Sequence, residues 1–63
     1  MFTFKFYVGD KVSVPNNRVP DINAACMMAE HWIANYEKIE VIFNEKVVVK
    51  TLTNDNPIVS TTL

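Results

Sequence analysis

The sequence has little of what catalytic and cofactor-binding domains usually need. A single glycine among 63 residues excludes the glycine-rich loops that hold phosphate groups. The one cysteine, Cys26, cannot form an internal disulfide, so we expect a reducing, cytoplasmic environment. Lys5 interrupts the apolar start of the chain where a secretory signal needs an unbroken stretch, and no apolar run approaches the roughly 18 residues of a membrane span. We therefore expect no membrane partner.

An excess of charge of one sign is also missing. Six basic and seven acidic residues give a formal net charge of −1, and neither sign forms a block. A nucleic-acid surface needs a basic patch that neutralises phosphates, so this balance argues against nucleic acid as a partner. A chain of this length buries only roughly 60% of its unfolded surface, which predicts one small domain that a protein partner or a second copy would stabilise.

Nucleophilic catalysis would need a nucleophile beside a base, and the candidates are Cys26 and His31. Five residues correspond to about 140° of rotation around a helix, so the two side chains point apart. Cys26 falls among apolar residues, where a free cysteine is usually a small buried hydrophobe. The sequence shows neither a carboxylate pair nor the spacing of metal ligands. We therefore predict a protein that is not an enzyme and has no catalytic residue, metal or cofactor.

One strand pattern occurs twice. Residues 4–14 alternate apolar and polar side chains, and a similar pattern returns 35 residues later in residues 39–49. Alternation is typical of half-buried strands, so each copy predicts a β-hairpin. Three-residue loops at 9–11 and 44–46 would place the apolar residues of both strands on one face. That face would carry Phe4, Phe6, Val8, Val12 and Val14 in the first hairpin, and Ile39, Val41, Phe43, Val47 and Val49 in the second.

An amphipathic helix separates the two hairpins. Pro20 and Asp21 mark its start, with Asp21 as the N-cap, and we expect the helix to run from about Ile22 to Tyr36. Its apolar residues recur with helical spacing and form one stripe that packs on the sheet. The members of the stripe are Ile22, Ala25, Cys26, Ala29, Trp32, Ile33 and Tyr36.

The order ββαββ predicts an α+β fold. We expect a mainly antiparallel four-stranded sheet with one helix packed on one face, all within a single domain of residues 1–53. Residues 54–63 are expected to form a C-terminal tail, either mobile or adding a short edge strand. The pattern leaves the strand order open.

The sheet face away from the helix is the first candidate for a binding surface. In the register set by three-residue loops, Ile42 lies directly across from Val48, with Glu40 and Lys50 paired beside them and Tyr7 nearby if the hairpins are adjacent. An apolar centre within a polar rim is typical of protein interfaces. The alternative is a tolerated pair of exposed β-branched residues, because single exposed apolar side chains are normal.

The outward side of the helix is the second candidate. Met27 and His31 lie there with Ala24 and Ala34, where charged residues would be expected. Methionine and alanine suit docking to a protein or to a second copy of the helix, although helix propensity alone also accounts for them. The edge strands are a third candidate, because their unpaired backbone groups can extend a partner's sheet.

In size, in its hairpin, helix, hairpin order and in an alanine-rich helix containing Ala29-Glu30-His31-Trp32, the chain resembles a group of small bacteriophage accessory proteins. These proteins bind and inhibit bacterial enzyme complexes, and they include RNA-polymerase inhibitors and anti-CRISPR proteins. The resemblance covers the architecture of residues 1–52 and implies a bacterial host protein as the partner. It assigns no functional residue, because no motif is shared, and the balanced charge departs from the marked acidic or basic patches common in such inhibitors.

These features lead to three hypotheses of function. The first is a non-enzymatic protein-binding module, a phage-encoded inhibitor or modulator of a bacterial protein complex that acts in the host cytoplasm. The second is a homodimeric structural or accessory protein in which one patch is self-complementary. The third is a single-stranded nucleic-acid binder, which the net charge of −1 disfavours. In that third case Tyr7 would stack on a base while phosphates are contacted by Lys5, Lys11, Lys46 and Lys50.

Overall fold

The structure, a computed structural model, describes residues 1–55 as one four-stranded sheet and one helix. The elements in chain order are β1 (Phe2–Val8), β2 (Lys11–Ser13), α1 (Ile22–Trp32) with a 3₁₀ continuation (Ile33–Asn35), β3 (Lys38–Phe43) and β4 (Val47–Thr53). The strands lie in the order β2-β1-β3-β4, and every neighbouring pair is antiparallel. The predicted α+β fold with ββαββ order is confirmed, and among the described strands β2 and β4 lie at the edges of the sheet.

The start of α1 is as predicted, but its end is not. The carboxylate of Asp21 accepts a hydrogen bond from the backbone N–H of Ala24 at 3.2 Å, which is the geometry of an N-cap. The α-helix stops at Trp32, and the next three residues tighten into the 3₁₀ turn. The carbonyl oxygen of Ile33 accepts from the backbone N–H of Tyr36 at 3.2 Å and also from the side-chain amide of Asn54 at 2.9 Å, so a residue from beyond β4 contacts the end of the helix.

Asn54 belongs to the folded domain, although the sequence places it in the tail. Its backbone N–H also donates to the carbonyl oxygen of Glu37 at 2.9 Å, just before β3. Residues 56–63 of the predicted tail lie outside the described residues, so that part of the prediction is untested.

The core lies between α1 and one face of the sheet. Its buried members are Phe4, Phe6, Val19, Ala25, Ala29, Ile39 and Val41. Small alanines let the helix approach closely, and aromatic rings fill the remaining space. The ring of Trp32 meets those of Phe4 and Phe6 edge-on at 5.5 Å and 5.4 Å between centroids, while Tyr36 stacks on Phe6 at 4.6 Å.

The inward stripe of the helix is rotated slightly from the predicted one. Ile22 is 38% exposed and Cys26 is only half-buried, whereas Met28 and Ala24 pack against the core. The reason is geometric: the two fully buried residues, Ala25 and Ala29, lie at the centre of the contact, so the residues one position before each of them share the inward face.

The predicted three-residue loop of the first hairpin is wrong. Val8 pairs with Lys11, so the turn contains only Gly9 and Asp10. Gly9 has a φ of 56° and Asp10 has a negative φ, which is the pattern of a type II′ turn. The shorter turn places Val12 opposite Tyr7, on the sheet face away from the helix, because paired residues share a face.

The prediction failed because it assumed that every apolar residue of the hairpin faces the core. Val12 and Val14 are 54% and 61% exposed. β2 is a three-residue strand on the sheet edge, and the helix does not need its side chains to complete the core.

The predicted loop of the second hairpin is confirmed, since Phe43 pairs with Val47 around residues 44–46 and Ile42 pairs with Val48. The register then shifts, because Val49 has no partner and forms a β-bulge.

The bulge overturns one predicted pair. Lys50 lies opposite Val41 instead of Glu40, and Glu40 lies opposite Thr51. The shift also turns Leu52 toward the core, where it pairs with Ile39.

Candidate binding groove

A loop between β2 and α1 leaves the plane of the sheet. Ser13 pairs with Phe6, and Val19 pairs with Phe2 through two backbone hydrogen bonds of 2.7 Å and 3.0 Å. Between these two pairs, β1 contains the three residues 3–5, while the segment that faces β1 contains the five residues 14–18. Because two residues are in excess, the loop must bulge out of the pairing line.

The bulging loop forms one wall of a groove on the sheet face away from α1, which we call the open face. The groove has a volume of about 430 Å³, within the range of known ligand-binding pockets. Residues from the sheet, the loop and the turn of the second hairpin line it: Thr3, Phe4, Lys5, Val14, Pro15, Asn16, Arg18, Glu40, Ile42, Glu45, Lys46 and Val48.

The floor of the groove is apolar at its centre. Ile42 of β3 lies between Thr3 of β1 and Val48 of β4 in the register of the sheet. Ile42 is buried at 8% exposure, whereas Val48 is 48% exposed. The expectation that both residues form an exposed spot is therefore wrong for Ile42, which lies within the groove that the loop encloses.

An ion pair joins the two walls of the groove. The guanidinium of Arg18 in the loop lies 3.3 Å from the carboxylate of Glu45 in the turn, and both side chains are more than 60% exposed. Such exposed pairs contribute about 0–1 kcal/mol, so this contact links the two walls but adds little stability.

A second charged cluster lies at the other end of the open face. The hydroxyl of Tyr7 donates to Oε1 of Glu40 at 2.7 Å, and the ammonium of Lys38 lies 3.6 Å from Oε2. The Lys38 ammonium also lies over the ring of Tyr7, 4.9 Å from its centroid. The carboxylate of Glu40 therefore has partners on both oxygens before any ligand arrives.

The hydrogen bond from Tyr7 lowers the pKa of Glu40, and the positive charges of Lys38 and Lys5 act in the same direction, against an opposing effect of burial. The same hydrogen bond raises the pKa of the Tyr7 hydroxyl, with burial and the charge of Glu40 adding to the effect. Near neutral pH the cluster thus holds a charged carboxylate and a neutral phenol.

We expect Tyr7→Phe to reduce the loss of stability in acid. Because folding lowers the pKa of Glu40, its stabilising effect is present above the ordinary glutamate range and is lost as the pH falls through the lowered value. Without the hydroxyl, the pKa of Glu40 rises, and the domain loses less stability between neutral and acidic pH. Urea midpoints at about pH 7 and about pH 3 measure this. Tyr36→Phe removes a hydroxyl on the other sheet face and should leave the pH dependence of stability unchanged. If both variants show the same pH dependence, the hydrogen bond from Tyr7 does not control the pKa of Glu40.

The turn of the second hairpin, which lines one side of the groove, contains a residue in a strained backbone conformation. Asn44 and Glu45 have φ values of 53° and 61°, and the N–H of Lys46 donates to the carbonyl oxygen of Phe43 at 3.1 Å, as in a type I′ turn. Asparagine tolerates this left-handed region, but a glutamate at such a φ is uncommon. Strained residues of this kind cluster at binding sites, and Glu45 lines the groove.

We expect Glu45→Gly to stabilise the domain relative to Glu45→Gln by about 1 kcal/mol, because glycine relieves the left-handed strain while glutamine keeps it. Both variants lose the ion pair to Arg18, so the comparison isolates the backbone effect. Urea unfolding gives the difference. A glycine variant that is no more stable than the glutamine variant would show that the turn is not strained.

The groove brings together three of the predicted binding residues: Glu40, Ile42 and Val48. Tyr7 joins them indirectly, through its hydrogen bond to Glu40. Lys50 does not line the groove, because the bulge moves it out of the predicted pair.

The helix candidates form a separate surface. Met27 is 70% exposed and His31 is exposed on α1, which covers the opposite side of the sheet from the groove. Two of their predicted neighbours are less open than expected, because Ala24 packs against the core and Ala34 is only half-exposed.

The loop contribution of Val14, Pro15 and Arg18 was missed by sequence reasoning. The available signal was Pro15 directly after Val14, in a long connection between the first hairpin and the helix. Arg18 could not be assigned, because its partner Glu45 is distant in sequence and follows no periodic pattern.

Comparisons of the chain with protein-family models, with curated proteins and with solved structures gave no match. In residues 1–55, no helix is long and apolar enough to cross a membrane. Within that same range, no three His, Cys, Asp or Glu side chains converge in a way that would hold a metal ion.

Proposed function

We propose that this chain is a non-enzymatic protein-binding module that engages its partner through the groove on the open face. The observation that supports this most directly is the combination of an apolar floor at Ile42 and Val48 with a rim of paired charges. An apolar centre surrounded by polar groups is the usual anatomy of a protein interface.

The strained turn adds support. A glutamate in the left-handed region carries an energetic penalty of order 1 kcal/mol, and glycine would remove it. Glu45 lines the groove and pairs with Arg18 of the opposite wall, so its charge lies where a partner in the groove would meet it. Inhibition or modulation of a bacterial host complex in the cytoplasm, as the resemblance to phage proteins implies, is the biological setting that we propose.

The experiment is affinity capture from a bacterial lysate with a matched pair of variants. Val48→Asp places a charge on the groove floor, while Val47→Asp makes the same change one residue earlier on the other face of β4, at a similarly exposed site. We expect wild type and Val47→Asp to recover the same partner and Val48→Asp to lose it. Equal recovery by both folded variants would overturn the groove as the binding site.

A homodimer is the second candidate function, and the edge of the sheet favours it. β4 is an unpaired edge among the described strands, and Val47 and Val49 on it are 55% and 44% exposed. Lys46 and Lys50 flank these valines, so pairing of two copies through β4 would bring like charges together. Such a dimer would strengthen with salt, which light scattering over a concentration series can detect. A mass that stays at 7.2 kDa at all salt concentrations would remove this function.

A further inference from the structure

We propose that residues 58–63 of this chain pack into an apolar cleft between α1 and β4, on the helix side of the sheet. We call it the side cleft, and its residues are Ile22, Cys26, Phe43, Val47 and Val49. The groove lies on the other face of the sheet, so this proposal goes beyond the proposed function and does not depend on it.

One flank of α1 forms the upper wall of the side cleft. Three residues correspond to about 300° of rotation around a helix, so Cys26 and Trp32, three residues before and after Ala29, lie about 60° to opposite sides of it. The ring of Trp32 contacts two phenylalanine rings of β1, which places that flank over β1. Cys26, and Ile22 one turn before it, therefore lie on the flank toward β3 and β4.

The lower wall is the part of the sheet that α1 leaves uncovered. Phe43 follows the buried Val41 by two residues and pairs with Val47, so both side chains lie on the helix side, yet they are 40% and 55% exposed. Val49 lies two residues further along β4 and is also exposed. With Ile22, four of the nine exposed large apolar side chains of residues 1–55 surround the side cleft. A cluster of this kind marks a surface that another segment covers.

The chain leaves β4 at the end of the side cleft. The backbone N–H of Asn54 donates to the carbonyl oxygen of Glu37, and its side-chain amide donates to the carbonyl oxygen of Ile33 at the end of the helix. These two contacts place Asn54 beside the helix. The sequence Asn54-Asp55-Asn56-Pro57 is rich in turn-forming residues and suits a reversal of the chain at this point.

The length of the following segment matches the side cleft. β4 contains the seven residues Val47–Thr53, which at about 3.3 Å per residue correspond to about 20 Å between its first and last residues. The six residues 58–63 reach about 20 Å when extended. A chain that reverses after Asn54 therefore reaches Val47 without excess length.

The composition of the segment also fits. None of residues 56–63 is charged, and Ile58, Val59 and Leu63 are aliphatic. The segment is tethered to the end of β4, which gives it an effective concentration on the order of millimolar at the side cleft. This favours it over a second copy at micromolar concentration. Once packed there, it shields Val47 and Val49, the valines on which pairing of two copies through β4 depends.

The test is NMR spectroscopy of the full chain with ¹³C-labelled methyl groups. We expect nuclear Overhauser contacts from the methyl groups of Ile58, Val59 and Leu63 to the ring of Phe43 and the methyl groups of Val47. A sample that mixes labelled and unlabelled copies separates contacts within one chain from contacts between two chains, and we expect the former.

A matched pair of variants locates the contact. Val47→Asp places a charge in the side cleft and should abolish the contacts to the Phe43 ring. Val12→Asp makes the same change on the other edge strand and the other sheet face, at a site that is 54% exposed compared with 55% for Val47, and should keep them.

The thiol of Cys26 gives a second measurement that leaves the described residues unchanged. A segment packed beside it slows alkylation by iodoacetamide. Replacing both Ile58 and Val59 by serine should release the segment and raise the alkylation rate of the folded chain roughly tenfold. The control, Thr61→Ser with Thr62→Ser, keeps the aliphatic residues and should leave the rate unchanged.

Absence of the contacts in the wild-type chain would overturn the inference, and so would their loss in Val12→Asp. Contacts found only between differently labelled copies would overturn it in favour of a second copy in the side cleft. If Val47→Asp does not fold, the alkylation rates decide, and equal rates in the wild type and the Ile58, Val59 double variant would overturn the inference. The lysate capture tests the groove separately, because Val48 lies on the other sheet face.

Discussion

Replacing Phe4 by alanine should leave the domain largely unfolded at room temperature. Phe4 is fully buried at the centre of the core, with Trp32 edge-on to its ring at 5.5 Å and Phe6 at 6.0 Å. Removing a buried phenylalanine usually costs about 3–5 kcal/mol, because apolar transfer energy is lost and a cavity remains. A domain of this size rarely has more than about 3–5 kcal/mol of stability to lose.

Phe43→Ala is the matched control for this prediction. Phe43 is on the same sheet and has an aromatic neighbour, Phe2, at 5.1 Å, but it is 40% exposed. Its loss should reduce the free energy of unfolding by less than half as much as the loss of Phe4. Thermal and urea unfolding followed by circular dichroism compare the two. Equal destabilisation by both variants would contradict the described core.

Ile42→Asp should destabilise the domain by more than about 3 kcal/mol, whereas Val48→Asp should stay within about 1 kcal/mol of wild type. The two residues are cross-strand partners, yet Ile42 is 8% exposed and Val48 is 48% exposed. An aspartate at position 42 would place a charge in the enclosed part of the groove, while at position 48 the carboxylate reaches water.

Urea unfolding of the two single variants measures this difference, and Ile42→Val provides a conservative control with an expected loss of about 0.5–1.5 kcal/mol. If Ile42→Asp unfolds at the same urea concentration as Val48→Asp, the described burial of Ile42 is contradicted. The contrast also decides which variant can probe binding, since only the folded Val48→Asp protein separates a lost partner from a lost fold.

The regular elements could be predicted because their signals are local. Alternation in residues 4–8 and 39–43 identifies β1 and β3, and Asp21 identifies the start of the helix. These features depend on side-chain period and capping chemistry, which act over a few neighbouring residues.

The registers could be predicted only in part. The predicted three-residue loop of the first hairpin depends on Val12 being buried. Val12 is exposed instead, because it lies on a short edge strand. The bulge at Val49 did leave a signal, because Leu52 is out of phase with Val47 and can face the core only if one residue is skipped. The bulge can be inferred from Leu52 only if the strand is known to extend that far, and the alternation alone does not show where the strand ends.

The groove walls could not be predicted, because they depend on contacts between distant segments. The loop bulges because five residues face three on β1, a mismatch that appears only once the pairings of Ser13 and Val19 are known. The floor, in contrast, follows from the cross-strand pair of Ile42 and Val48, which the second hairpin loop defines.

The central claim is that the partner binds in the groove on the open face. The most direct test is amide chemical-shift mapping of the isotopically labelled chain with the captured partner. We predict that the largest shifts fall on Thr3, Lys5, Ile42, Val48 and loop residues 14–18. Shifts confined to the outward side of α1 around Met27 and His31 would contradict the account, because that surface lies on the other side of the sheet.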